Sequence, residues 1–166
     1  LTNLDGSGYL HGDWANVISE TGNPAYSDTN TFVYGRSDDR FEQVMAYYWV
    51  TEAQKYIQSL GFGSTRRAVN KEPQDLRINQ SGADNSFSWD KHDVMRFGKG
   101  GVDDAEDGEV ILHEYGHAIQ DSQQTPFGGF FHIPQFIPVH HVGLAKLTHE
   151  RAVFTIPLAD EAKPLF

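Results

Sequence analysis

An α+β fold is predicted, in which an antiparallel or mixed β-sheet is backed by one long helix and a second helix carries the chemistry. Three observations point to it. Apolar and aromatic residues recur at spacings of three and four from Asp39 to Leu60. The pattern changes to a period of two between Gly61 and Gly101. It returns to a helical rhythm over Val110 to Ile119, where Ile111, Tyr115, Ala118 and Ile119 form a buried stripe. Residues 1–124 are expected to hold the sheet and both helices, and residues 125–166 to form an atypical, short and irregular helical tail of the same globule.

Composition bounds the function. The chain has 166 residues, of which 39% are hydrophobic and 13% aromatic, enough for one domain with a real core. Its 13 basic residues against 23 acidic ones, a formal charge of -10, argue against nucleic acid as a partner, because a phosphate backbone rewards clustered Lys and Arg. No stretch approaches the roughly 18 apolar residues of a membrane span, so no membrane partner is expected. With no cysteine, disulfides and thiolate metal ligands are excluded, and any metal must be held by His, carboxylates and water.

Short β-like pieces at Tyr9-Leu10, Trp14 to Ile18 and Thr31 to Tyr34 alternate with Gly, Asn, Pro and Asp clusters and predict an irregular antiparallel sheet over residues 1–35. Asp5-Gly6-Ser7-Gly8 has the start of a calcium loop but not its later carboxylates, and reads as a turn. The long helix has a start signal in Asp39 followed by Glu42, which resembles a capping box, and a stop signal in Gly61. Its predicted stripe is Phe41, Val44, Met45, Tyr48, Ala53, Tyr56, Ile57 and Leu60, with Tyr47 and Trp49 also assigned to the core. Leu76 to Asn79, Asn85 to Trp89 and Val94 to Phe97 predict three strands of a meander, with a turn at Ser81 to Asp84. His92, at a turn, reads as a surface histidine. Asp103, Asp104, Glu106, Asp107 and Glu109 then form an acidic run into the second helix. Negative charge at a helix N-terminus explains it simply; a calcium site is the sharper reading.

The chemistry is concentrated in the HExxH motif. Residues four apart on a helix lie one above the other, so His113 and His117 can direct two imidazole nitrogens at one zinc ion. Glu114, beside the first ligand but not itself one, is placed to act as general base on a zinc-activated water.

Residues from about Arg40 to Asp121 resemble the N-terminal subdomain of the gluzincin metallopeptidases, the thermolysin and fungalysin group. The likeness lies in the order of long helix, meander, Gly-rich acidic connection and HExxH helix, and in Val110 to Asp121 itself. It implies a zincin-like fold, zinc held by His113 and His117, Glu114 as general base and acid, a peptide or protein substrate, and secretion to the extracellular space. In that group an Asn followed by a small residue on the strand edging the cleft pairs with substrate backbone. Asn85 and Ser86 stand in that place.

Beyond Gln124 the likeness ends. The group's third zinc ligand is a Glu in a Glu-x-x-x-Asp segment. Glu150, within a predicted helix from Val142 to Phe154, is the first choice here, although Phe154 stands where the Asp would be. His140, His141 and His149 are alternatives, since imidazole suits zinc equally well. The expected function is a zinc-dependent endopeptidase. Because the chain is about half a usual gluzincin catalytic domain, a truncated relative that binds metal with little or no peptidase activity is a second expectation. A zinc hydrolase of a non-peptide substrate is a third.

Overall fold

A computed structural model describes residues 1–19, 23–89 and 92–123, within a compact unit spanning Leu1–Thr125. The tail expected over residues 125–166 lies outside the described residues. The described part is α+β: strand β1 (Ala15–Ser19), helix α1 (Arg40–Ser59), strands β2 (Gln74–Ile78), β3 (Phe87–Trp89) and β4 (Val94–Arg96), a 3-10 turn at Asp104–Glu106, and helix α2 (Gly108–Ser122). Helix α1 packs over β1 and β2, helix α2 over β3 and β4, and the two helices touch. Leu10, Val17, Leu76, Ile78, Met95 and Phe97 meet Ala46, Tyr47, Val50, Ile111 and Tyr115 in the core between these layers. Among the described residues no helix is long and apolar enough to cross a membrane.

The sheet is mixed and its order is β1-β2-β4-β3. That corrects the expected meander. Strand β4 inserts between β2 and β3, parallel to β2 in the register Leu76 to Met95, and antiparallel to β3 in the register Ser88 to Met95. Period-two alternation says which residues share a face, and Gln74, Leu76 and Ile78 are indeed the buried set of β2, but it carries no information on which strands are neighbours. The N-terminal sheet is corrected as well. Among the described residues only β1 forms a strand there, and it runs parallel to β2 because α1 provides the crossover that parallel strands need. Elsewhere in residues 1–35 there are single antiparallel bridges such as Leu4 to Gly12 and Tyr9 to Tyr26, and no strand at Thr31 to Tyr34. Asp5 to Gly8 is the expected turn: the Ser7 N–H donates to Asp5 Oδ1 at 2.8 Å, and Gly6 has φ of +83°.

Helix α1 ends as its sequence signals. Gly61, at φ +91°, donates its N–H to the Gln58 carbonyl at 2.9 Å, a left-handed closure that glycine adopts without strain. Its beginning differs from the capping box. Asp39 has helical dihedrals and caps nothing with its side chain, while Asp38 accepts from the Arg40 N–H at 3.0 Å and from the Arg40 guanidinium at 2.9 and 2.6 Å. Glu42 turns inward and is 2% exposed.

The buried face of α1 also lies beside the predicted stripe. It consists of Glu42, Gln43, Ala46, Tyr47, Val50, Thr51 and Gln54, whereas Tyr48, Tyr56 and Leu60 are exposed. Buried polar residues are retained where they satisfy backbone groups that water cannot reach. Gln43 accepts from the Ala25 N–H at 2.8 Å and donates to the Asn23 carbonyl at 3.1 Å. Gln54 donates to the Val69 carbonyl at 2.8 Å and accepts from the Tyr115 hydroxyl at 2.6 Å. These amides tie α1 to irregular segments and to α2, a role invisible to a count of apolar residues.

Candidate metal centre and groove

Helix α2 begins with a side-chain cap. Asp107 is extended at φ -98° and ψ 113°, and its Oδ1 accepts from the Glu109 N–H at 2.8 Å, so part of the acidic run serves the helix N-terminus. Gly108 follows, and a Cβ there would come within 2.6 Å of the Trp49 ring, so glycine lets α1 and α2 approach closely. From this start the 3.6-residue period decides what faces inward. Ile111, Tyr115 and Ala118 are buried as predicted, Glu114 and Leu112 flank them, and His113 and His117 are left on the exposed side.

The two imidazoles converge. Their Nε2 atoms are 3.2 Å apart and the rings meet edge to face, with centroids 4.8 Å apart. Two nitrogens each about 2.05 Å from one zinc ion and 3.2 Å from each other subtend about 103° at the ion, close to the tetrahedral angle of zinc sites. The chemistry of the donors and their spacing therefore fit a zinc ion on this face of α2. Among the described residues no third carboxylate or imidazole joins the pair in a cluster of potential ligands. Glu150, the first choice for that role, and His140, His141 and His149 lie outside the described residues.

Glu114 is 7% exposed, between α2 and the edge of the sheet. Burial raises its carboxyl above the ordinary carboxylate range, opposed by His113, His117 and a hydrogen bond from the Ser88 backbone, with Asp104 adding to the rise. Asn85 and Ser86, immediately before β3, share a groove of about 430 Å³ with His113, Glu114, Val110, Asp104, Asp107 and Glu109. Among the described strands β3 is the outer one of the sheet on this side. The two residues differ in availability. Ser86 donates its hydroxyl to Asp104 Oδ2 and accepts from the Gly98 N–H at 3.3 Å, so its side chain holds the loop; Asn85 is exposed on the groove wall.

Several contributors were not visible in the motif. Asp104 orients Ser86, and the Ser88 backbone faces Glu114. Gly98 and Gly100 bring the 98–100 segment against the backbone of Ala83, Asp84 and Asn85, where a Cβ would come within 2.3 to 2.6 Å. The Gly-rich connection was the available signal for that close approach. The acidic run divides: Asp107 caps α2, Asp104 holds Ser86, and Asp103 and Glu106 gather around the buried Glu42. His92 is exposed against the Trp89 ring, 4.2 Å between centroids, as a surface histidine. Comparison of the chain with family models, with curated proteins and with solved structures gives no match.

Proposed function

We propose that this chain is a zinc-dependent metallopeptidase of gluzincin type with a zincin-like fold, cleaving peptide bonds in an extended substrate laid along the edge of the sheet. The reading is supported above all by the 3.2 Å separation of the His113 and His117 Nε2 atoms with a buried carboxylate at the adjacent position. His113 and His117 would hold the zinc ion. When bound, that ion supplies a Lewis acid and makes water acidic enough to act as a nucleophile near neutral pH.

The chain's own groups do the rest. Glu114 takes the proton of the attacking water and passes it to the departing amine. Its burial favours this, because a carboxyl raised by burial is a stronger base than a solvated one. Strand β3 offers an outer edge against which a peptide can add as a further strand, with Asn85 beside the groove to hold its backbone. Glu150 remains the proposed third ligand.

The second expectation, a chain that binds metal with little or no peptidase activity, shares the histidine pair and differs only in what happens to a peptide. One experiment separates the two. Zinc content and casein cleavage are measured for the parent and for Glu114→Gln, with and without chelator. On the first reading the parent cleaves in a chelator-sensitive way and Glu114→Gln keeps about one zinc per chain while turnover falls by about a hundredfold or more. Zinc binding without cleavage by the parent supports the second reading, and equal cleavage by parent and mutant removes the role given to Glu114.

A further inference from the structure

We propose that Glu42, Asp103 and Glu106 form a second cation site, of calcium type, that fastens helix α1 to the loop entering α2. One ligand oxygen from each residue lies within 4.8 Å of the others. Glu42 comes from the first turn of α1, and Asp103 and Glu106 from the 3-10 turn and its flank. A group of acidic residues alone would mean little.

Glu42 supplies the independent reason. It is 2% exposed, and among the described residues its Oε2 atom is buried without a hydrogen-bond partner. An ionised carboxylate oxygen in that state is strongly disfavoured unless a cation or proton meets it. Around it stand Asp103, Glu106 and Asp39 as negative groups, the Asn79 amide as a hydrogen-bond partner, and Arg36, whose guanidinium Nε donates to Glu106 Oε2 at 2.8 Å from the solvent side. The three ligand carboxylates thus face one guanidinium, leaving two negative charges for a divalent ion to neutralise.

Coordination chemistry selects the ion. Calcium accepts irregular oxygen shells at about 2.3–2.6 Å and suits three carboxylates gathered within 4.8 Å of one another, whereas magnesium demands near-ideal octahedral geometry and keeps most of its waters. Three protein oxygens leave the rest of a six- to eightfold shell to water and backbone carbonyls.

The rival occupant is a proton. Burial, followed by the neighbouring Asp103, pushes the Glu42 carboxyl up to about 8, so without a cation it can remain protonated at neutral pH. The two accounts differ in what calcium does.

The test is a calorimetric titration of calcium chloride into the full chain loaded with zinc and freed of calcium, repeated on Glu42→Gln, Asp103→Asn, Arg36→Ala and the double variant His113→Ala/His117→Ala. Melting curves with and without calcium accompany it, and near-ultraviolet circular dichroism checks folding. The parent should bind one calcium saturably below about 10⁻³ M and melt at higher temperature with it. Glu42→Gln and Asp103→Asn should weaken that binding about tenfold or more, and Arg36→Ala, which releases Glu106, should tighten it. The histidine double variant should bind calcium as the parent does, so the result stands whether or not the zinc peptidase reading holds. Absence of saturable heat in the parent, or parental affinity in a folded Asp103→Asn, would overturn the proposal. Should Glu42→Gln fail to fold, the parent, Asp103→Asn and Arg36→Ala titrations decide.

Discussion

Replacing Tyr115 by Phe removes a single oxygen from the middle of the HExxH motif, and the structure says what that oxygen does. Tyr115 is 1% exposed and Gln54 0%, and the hydroxyl donates to Gln54 Oε1 at 2.6 Å. The phenyl ring keeps its packing in Phe, so no cavity larger than the lost oxygen opens. What remains is a buried amide acceptor without its donor, a situation that costs about 1–3 kcal/mol. Gln54 cannot turn to recover the loss, because its Nε2 holds the Val69 carbonyl at 2.8 Å. The Asn70 side chain, which faces the same hydroxyl and reaches Gln74 Oε1 at 3.3 Å, belongs to the same buried network. Urea unfolding of Tyr115→Phe should therefore give a loss of about 1–3 kcal/mol. Gln54→Leu should lose more, since the Val69 carbonyl loses its amide donor and the Tyr115 hydroxyl loses its Gln54 acceptor. The double mutant should fall short of the sum by a coupling of about 0.5–3 kcal/mol. Zinc content should be unchanged in all three, because Tyr115 lies on the buried side of α2 and the histidines on the exposed side. A Tyr115→Phe cost below about 0.5 kcal/mol, or additive single mutants, would refute this account of the network.

Two further predictions follow from local geometry. In Gly98→Ala the new methyl would stand 2.3 Å from the Ala83 carbonyl oxygen and 2.6 Å from that of Asn85, so backbone must shift; a loss of about 1–3 kcal/mol is expected by thermal unfolding, whereas Gly35→Ala, into open space, should stay within about 0.5 kcal/mol. The Arg40 guanidinium lowers the Asp38 carboxyl from its ordinary 3.8 to about 2, so its stabilising effect is complete above pH 3.8 and disappears as pH falls through about 2. Carboxyl titration by nuclear magnetic resonance should place Asp38 in that acidic range, and Arg40→Ala should return it toward 3.8; an unchanged titration in the variant would remove Arg40 as the cause.

Much of this protein was legible in its linear order because the relevant interactions are local. The length of α1, its termination at Gly61 and the inward stripe of α2 follow from a 3.6-residue period and from the one residue type that closes a helix at positive φ without strain. The convergence of His113 and His117 is of the same kind, since a separation of four residues on a helix brings two side chains together whatever surrounds them. The neighbours of each strand, and the face α1 buries, were settled only by tertiary structure. Alternation cannot say that β4 slips between β2 and β3, and hydrophobicity cannot say that Gln43 and Gln54 go inside to meet carbonyl and amide groups of distant loops. The same holds for the groove and the acidic cluster. Asn85 reaches the histidine helix, and Glu42 reaches Asp103, across separations that loop closure and packing decide, so residues far apart in the chain acquire their chemistry from where the fold sets them down.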